Sequence, residues 1–319
     1  MTVNRPWGAD SLPSGPVVKI CGLTRLEDVL LACAFGAWAL GFVFAPSPRR
    51  LTPAEARRLV DSAAVARSPV GSPWRWADAG TRGESRAQRE AALRGPGGPA
   101  APLAIGVFGD VTAAEVARVV EHVGLDAVQL HGRTGPAAAD VREALAGWVC
   151  PLALGAAGAV SRPSSAVRPD RSVGISPAPV PQVRPPLIIQ AVPVPPDGVD
   201  PGELRHAIAK AAAEADLVLL DTRTAGQFGG TGTTFPWRLA LEAVGCAPFL
   251  VAGGIDAENV RVALEESGAW GVDVSSGVES SPGNKDARLV GRLLARVEAM
   301  RGATSGRTST DERQEGLRT

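Results

Sequence analysis

Two residues in this chain stand where acid–base chemistry could use them. Cys21 ends the apolar run "VVKIC", with Gly22 directly after it, and Asp221 ends the apolar run "DLVLLD". A thiolate can remove a proton and a carboxyl group can donate one. Each also has a plainer reading. Free cysteine is among the most buried residue types, and an isolated aspartate after a strand is often a loop hydrogen-bonder or helix cap. Other polar residues follow other apolar runs: Arg49 and Arg50 in "APSPRRL", Gln129 and His131 in "AVQLHG", Gly230 and Gly232 in "GQFGGTG", Gly253 and Gly254 in "VAGG", and Ser275, Ser276 and Gly277 in "VSSG". An arginine fork accepts a carboxylate bidentately, which suits Arg50 to a substrate carboxylate, although it could equally be a solvated charge. Glycine-rich strand ends let backbone N–H groups approach a phosphate, or serve only as tight turns. His131 could contact ligand or hold a loop. His122 and His206 fall within helical runs and read as surface residues.

The elements that must position these residues alternate regularly. Strands are expected at 17–21, 39–44, 103–108, 126–130, 187–192, 216–221, 248–252 and 270–275. Helical runs fall between them, including 26–35, a Pro53-led run capped by Thr52, 110–124, 200–214, one from about Pro236, one capped by Asp256, and one from about Lys285 to Met300. Eight strands alternating with eight helices favour a single closed (β/α)8 barrel over an open doubly wound sheet. In such a barrel the site forms at the carboxyl ends of the strands, where the polar residues gather. "WVCPLAL" at 148–154 competes for strand five, but 187–192 is followed by a helix and the next strand at normal spacing.

Residues 1–16 read as an N-terminal extension and 17–301 as the barrel. Two stretches, about 67–101 and 155–186, are rich in Pro, Gly, Ala, Arg and Ser and have no burying period, so they read as insertions. The polar tail 302–319 is expected to be disordered.

Composition narrows the classes. The 33 basic and 33 acidic residues of the 319-residue chain cancel, and tyrosine is absent. Neither a nucleic-acid nor a membrane partner is therefore expected. No apolar run reaches the length of a membrane span, and the N-terminus lacks a secretory apolar core. The four cysteines form no CxxC pair, so free thiols in a reducing cytoplasm are expected, with no metal.

Five stretches carry a resemblance: "KICGLTRLEDVLLACAFGAWALGFVFAPSPRRLTPAEARRL", "AVQLHG", "LLDTRTAGQFGGTGTTFPW", "VAGGIDAENV" and "GVDVSSGVESSPGNKD". In this order they resemble the phosphoribosylanthranilate isomerase family of tryptophan biosynthesis, over 17–66, 102–147 and 187 to about 300. The resemblance implies an Amadori rearrangement without cofactor, on a phosphorylated small molecule. An aspartic acid opens the furanose ring, and a cysteine thiolate then removes the C2′ proton. It places Cys21 as general base, Asp221 as general acid and Arg50 against the anthranilate carboxylate. Gly230, Gly232, Gly253, Gly254, Ser275, Ser276 and Gly277 fall on the phosphate side. Alternation puts Lys19 on the face of Cys21, where its charge could favour the thiolate.

Three features depart from the family pattern: the insertions, Gln190 where a basic or small polar residue is expected, and "FPW" at 235–237, which should affect only the start of the sixth helix. Competing readings are a histidine-pathway sugar-phosphate isomerase, which uses paired aspartates, and a non-catalytic phosphate-ligand-binding barrel. Monomer and homodimer are both open.

Overall fold

The computed structural model describes residues 15–66, 102–132, 134–146, 148, 186–222 and 234–315. Its centre is a closed barrel of eight parallel strands in sequence order: β1 (Val17–Cys21), β2 (Ala39–Val43), β3 (Leu103–Phe108), β4 (Ala127–Leu130), β5 (Leu187–Val194), β6 (Leu217–Thr222), β7 (Phe249–Ala252) and β8 (Gly271–Val274). β8 pairs back onto β1, with Lys19 opposite Asp273. Helices α1 (Leu26–Ala34), α2 (Pro53–Ala66), α3 (Ala113–Val123), α4 (Ala138–Ala144), α5 (Pro201–Glu214), α6 (Val260–Ser267) and α7 (Ala287–Glu315) lie between or after the strands.

Strand alternation explains the division of the core. Val18, Ile20, Leu40 and Phe42 face outward into the layer under the helices, while Val17, Ala39, Ile105, Leu217 and Leu250 fill the barrel interior. Trp38 and Trp270, a residue before β2 and β8 respectively, meet edge to face at 5.0 Å at the amino-terminal end. Helix starts follow their sequence signals. Thr112 and Glu115 form a reciprocal capping box on α3, and Asp200 accepts from the N–H groups of Gly202 and Glu203 at α5.

Strand five is Leu187–Val194, hydrogen-bonded to β4 and β6. Most of the competing stretch 148–154 lies outside the described residues, as do 67–101 and nearly all of 155–186. α4 is a short helix to which the sequence reading assigned no bounds. The element expected from Pro236 is a 3-10 helix, Trp237–Ala243, anchored by the buried Phe235, whose N–H donates to Thr222 Oγ1. α7 runs beyond Met300, where the sequence places its end, to Glu315. After β8 a 3-10 turn, Ser276–Val278, leads into a small hairpin of β9 (Glu279–Ser281) and β10 (Asn284–Lys285). That hairpin is the one addition to the eightfold pattern among the described residues.

Candidate active site

At the carboxyl end of the barrel one pocket is lined by residues from most of the strands, among them Cys21, Arg49, Gln129, His131, Asp221, Gly253, Gly254, Asp273, Ser275, Ser276 and Gly277. Cys21 and Asp221 therefore face the same space, with Asp221 reached from β1 through β8 and β7. Both are nearly buried, at 9% and 8% exposure. Val43, Ala45 and Val107 pack with Cys21 and form an apolar wall. Two glycines make room here. Gly41, mid-strand in β2, stands opposite Cys21 in the register, and a Cβ on it would lie 2.8 Å from Cys21 Sγ and 3.1 Å from Lys19 Nζ. Gly22 adopts φ +74°, and a side chain there would run into Arg49 Cδ.

The electrostatics centre on Cys21. Lys19 is fully buried, and its Nζ donates to Asp273 Oδ2 at 2.8 Å. Burial opposes the charge on Lys19, but Asp273 and the neighbouring Cys21 outweigh it and hold its pKa above the ordinary value. Burial is the largest influence on Cys21 and pushes its thiol pKa up; the charge of Lys19 is the largest influence pulling it down, with Asp273 opposing and Lys285 assisting. Lys19 thus pulls the thiol pKa in the direction its charge dictates, and burial outweighs it.

A second ionic group lies beside the thiol. Arg49 Nε and Nη2 donate to Glu279 Oε1 and Oε2 at 2.8 and 2.6 Å. Lys285 Nζ donates to Glu279 Oε1 at 2.7 Å, to the carbonyl oxygen of Cys21 at 2.6 Å and to that of Ser275 at 3.1 Å. Burial lowers the pKa of Lys285, with Glu279 and Cys21 working against it. Burial also disfavours the Glu279 charge, yet Arg49 and Lys285 outweigh it and keep that carboxyl below its ordinary pKa. Ser275 Oγ donates to the Cys21 carbonyl at 3.1 Å, so the end of β1 is held from two sides.

Across the pocket His131 Nε2 lies 3.0 Å from Asp221 Oδ2, and Gln129 Nε2 lies 3.5 Å from His131 Nδ1. Among the described residues, Gln129 Oε1 and Asp273 Oδ1 are buried without a hydrogen-bond partner. Both residues line the pocket.

Of the expected residues, the pocket brings together Cys21, Asp221, His131, Gly253, Gly254, Ser275, Ser276 and Gly277. Gly230 and Gly232 lie outside the described residues. Arg50 requires a correction: it is exposed, forms a backbone bridge with Val43 and does not line the pocket, whereas Arg49 is buried and does. Gln190 shares the outward face of β5 with Ile188 and Val192 and donates to main-chain carbonyls, so its departure from the family pattern leaves the pocket untouched. His122 and His206 are exposed on helices. Sequence reasoning missed Arg49, Asp273, Glu279 and Lys285 as members of the site. Asp273 had a usable signal, a charge inside the apolar strand "GVDV". Among the described residues no group of His, Cys, Asp and Glu could hold a metal ion, and no helix is long and apolar enough to cross a membrane.

Fold and site together define a (β/α)8 barrel whose pocket is furnished for proton transfer on a small molecule. Comparisons with known proteins narrow the class. Residues 186–296 match the family described as N-(5'phosphoribosyl)anthranilate (PRA) isomerase. The N-(5'-phosphoribosyl)anthranilate isomerase of Rubrobacter xylanophilus is 34% identical over 284 residues, covering 88% of this chain and 98% of that protein. The enzyme of Geobacter sp. strain M21 is 31% identical, covering 89% and 98%. Among solved structures, the phosphoribosyl anthranilate isomerase of Thermotoga maritima matches with a TM-score of 0.58 and 26% identity over 89% of this chain and 99% of its own. A phosphoribosyl anthranilate isomerase in complex with reduced 1-(o-carboxyphenylamino)-1-deoxyribulose 5-phosphate matches with a TM-score of 0.55 and 25% identity, covering the same shares. The chain belongs to the N-(5'-phosphoribosyl)anthranilate isomerase family.

Proposed function

We propose that this pocket converts N-(5-phosphoribosyl)anthranilate to 1-(2-carboxyphenylamino)-1-deoxyribulose 5-phosphate in tryptophan biosynthesis, with Asp221 as general acid and Cys21 as general base. The observation that carries the assignment is that a carboxyl and a thiol from separate strands line one pocket with the glycine-rich ends of β7 and β8.

The steps follow from the groups present. Asp221 gives its proton to the furanose ring oxygen; the C1′–O bond breaks, and the amine lone pair forms the C1′=N bond of a Schiff base. Cys21 thiolate then takes the C2′ proton, and the released pair makes the C1′=C2′ bond of an enolamine. Protonation of C1′ and loss of the hydroxyl proton at C2′ give the ketone. His131, beside the outer oxygen of Asp221, keeps that carboxyl oriented. Lys19 and Lys285 favour the thiolate, since both oppose the effect of burial on Cys21.

Binding roles follow in the same way. Arg49 takes the part that the sequence reading gave to Arg50, facing the anthranilate carboxylate. Gly253, Gly254, Ser275, Ser276 and Gly277 serve the phosphate, with Gly230 and Gly232 assigned there by resemblance alone. A cytoplasmic location and a monomer or homodimer without nucleic acid or membrane partner complete the proposal; cell fractionation and light scattering test them.

The deciding experiment is turnover of freshly made phosphoribosylanthranilate by the purified chain, compared with Cys21→Ser and Asp221→Asn. General acid or base catalysis contributes about 10²–10⁴-fold, so each variant should lose activity on that scale while keeping its fold. A near-normal rate in either variant removes that residue's role.

A further inference from the structure

Resting on the reading of Arg49 as the anthranilate-side residue, we infer that Glu279, on the hairpin after β8, is a positioning residue that aims Arg49 at the substrate carboxylate and fastens it to the main chain of the general base. Glu279 does not line the pocket, whereas Arg49 does. Its carboxylate occupies the side-on edge of the guanidinium, Nε and Nη2. A guanidinium has five N–H donors in a fixed plane. With that edge filled, the edge left for a ligand is the end-on one, Nη1 with the outer hydrogen of Nη2. This converts a long, rotatable side chain into a fixed fork, so less freedom is lost when a planar carboxylate binds.

Glu279 is shared. Its Oε1 also accepts from Lys285 Nζ, which in turn donates to the carbonyls of Cys21 and Ser275. The side chains of Arg49, Glu279 and Lys285 are 8%, 4% and 0% exposed, so the group is shielded from competing water. Two cations share one carboxylate, and one net positive charge remains for the anionic ligand. The hairpin that carries Glu279 is itself fastened: Thr24 Oγ1 donates to the Gly283 carbonyl at 2.7 Å, and the Lys285 N–H donates to Asp28 Oδ2 at 3.1 Å. The placement of Arg49 is thereby tied to the loop that follows Cys21.

The test measures discrimination rather than activity alone. Affinities of the full-length chain are compared for reduced 1-(o-carboxyphenylamino)-1-deoxyribulose 5-phosphate and for the same molecule lacking the ring carboxylate. Charge-assisted hydrogen bonds of this type correspond to about tenfold or more in affinity. The wild type should favour the carboxylate form by at least that factor, and Glu279→Gln should reduce the ratio about tenfold. In turnover, KM should rise more than kcat falls. Glu279→Asp, which keeps the charge on a shorter reach, should retain part of the ratio. In an Arg49→Ala background, Glu279→Gln should change the ratio no further. A purely structural role for Glu279 would weaken both ligands alike. Should the Gln variant fail to fold, Glu279→Asp carries the test; the full wild-type ratio in whichever variant folds overturns the inference. Because the ratio needs binding only, it is judged separately from the isomerase assignment, which falls if the wild-type chain shows no turnover.

Discussion

Replacing Gly41 by alanine adds one carbon at the most crowded point of the site. Built on the existing backbone, that carbon lies 2.8 Å from Cys21 Sγ, 2.9 Å from Cys21 Cα and 3.1 Å from Lys19 Nζ. Nonbonded carbon atoms prefer about 3.5–4.0 Å. The sulfur could turn away, but the Cα belongs to the neighbouring strand, so β1 and β2 must part by roughly 0.6 Å or more, the shortfall from that preferred range. Overpacking of a tight core costs about 1–3 kcal/mol. For a domain of this size that lowers Tm by roughly 2–10 °C. Misplacing a reacting group by about 1 Å costs on the order of 10²-fold, so a shift of this extent should lower kcat about 10- to 100-fold. Steady-state kinetics at saturating substrate and a thermal melt on the same preparation give both quantities. A Gly41→Ala enzyme within threefold of the wild-type kcat, with an unchanged melt, would refute the placement of the thiol against β2.

Other perturbations bear on neighbouring groups. Lys19→Met removes the largest influence opposing burial at Cys21, so the rising limb of kcat/KM against pH should move to higher pH; an unmoved limb excludes Lys19 from tuning the base. The same variant leaves Asp273 buried without its cation and should cost about 3–5 kcal/mol in a denaturant titration. Because the folded thiol of Cys21 has a raised pKa, its contribution to stability is fully present below the unfolded thiol value of about 8.5 and is lost as pH rises through the folded one. Cys21→Ser should therefore flatten the decline of stability in alkali, and an identical slope in the two proteins would contradict the burial of the thiol. Gly22→Ala must strain a backbone at φ +74° and displace Arg49, so KM should rise; an unchanged KM would detach that arginine from substrate binding.

Much of this arrangement is legible in the sequence. The barrel is readable because the strands are short apolar runs, most of them followed at once by a polar or glycine residue, and parallel strands buried on both faces give that signal. Cys21 and Asp221 were legible because strand ends in a barrel all open on one side. Arg49 and Arg50 were not separable, since two adjacent arginines in one loop differ only in where the backbone turns them. Here the Arg49 N–H donates to Ser47 Oγ while Arg50 bridges to Val43. Gly41 looked like one more strand residue, because its purpose depends on the side chain opposite it in another strand. Glu279 reads as part of a polar turn and Lys285 as the start of the last helix, and only the fold of the hairpin onto α1 buries them. The 3-10 helix at Trp237–Ala243 replaced an expected α-helix, as tertiary anchoring through Phe235 outweighed the local pattern.

The closure of β8 on β1 has a consequence for how the protein is made. The contacts that furnish Cys21 come from Asp273, Ser275 and Lys285, some 254 to 264 positions later in the chain. A ribosome making the chain must release almost all of it before Lys19 can meet its carboxylate or the end of β1 its two donors. Contacts of such long separation form slowly, because the chain must lose much freedom before they reward it. Until then Lys19 is an unpaired cation in an apolar run. Nascent chains should thus pass through a long period in which seven strands exist and the end of β1 has none of these partners, and truncations before β8 should yield no partial activity.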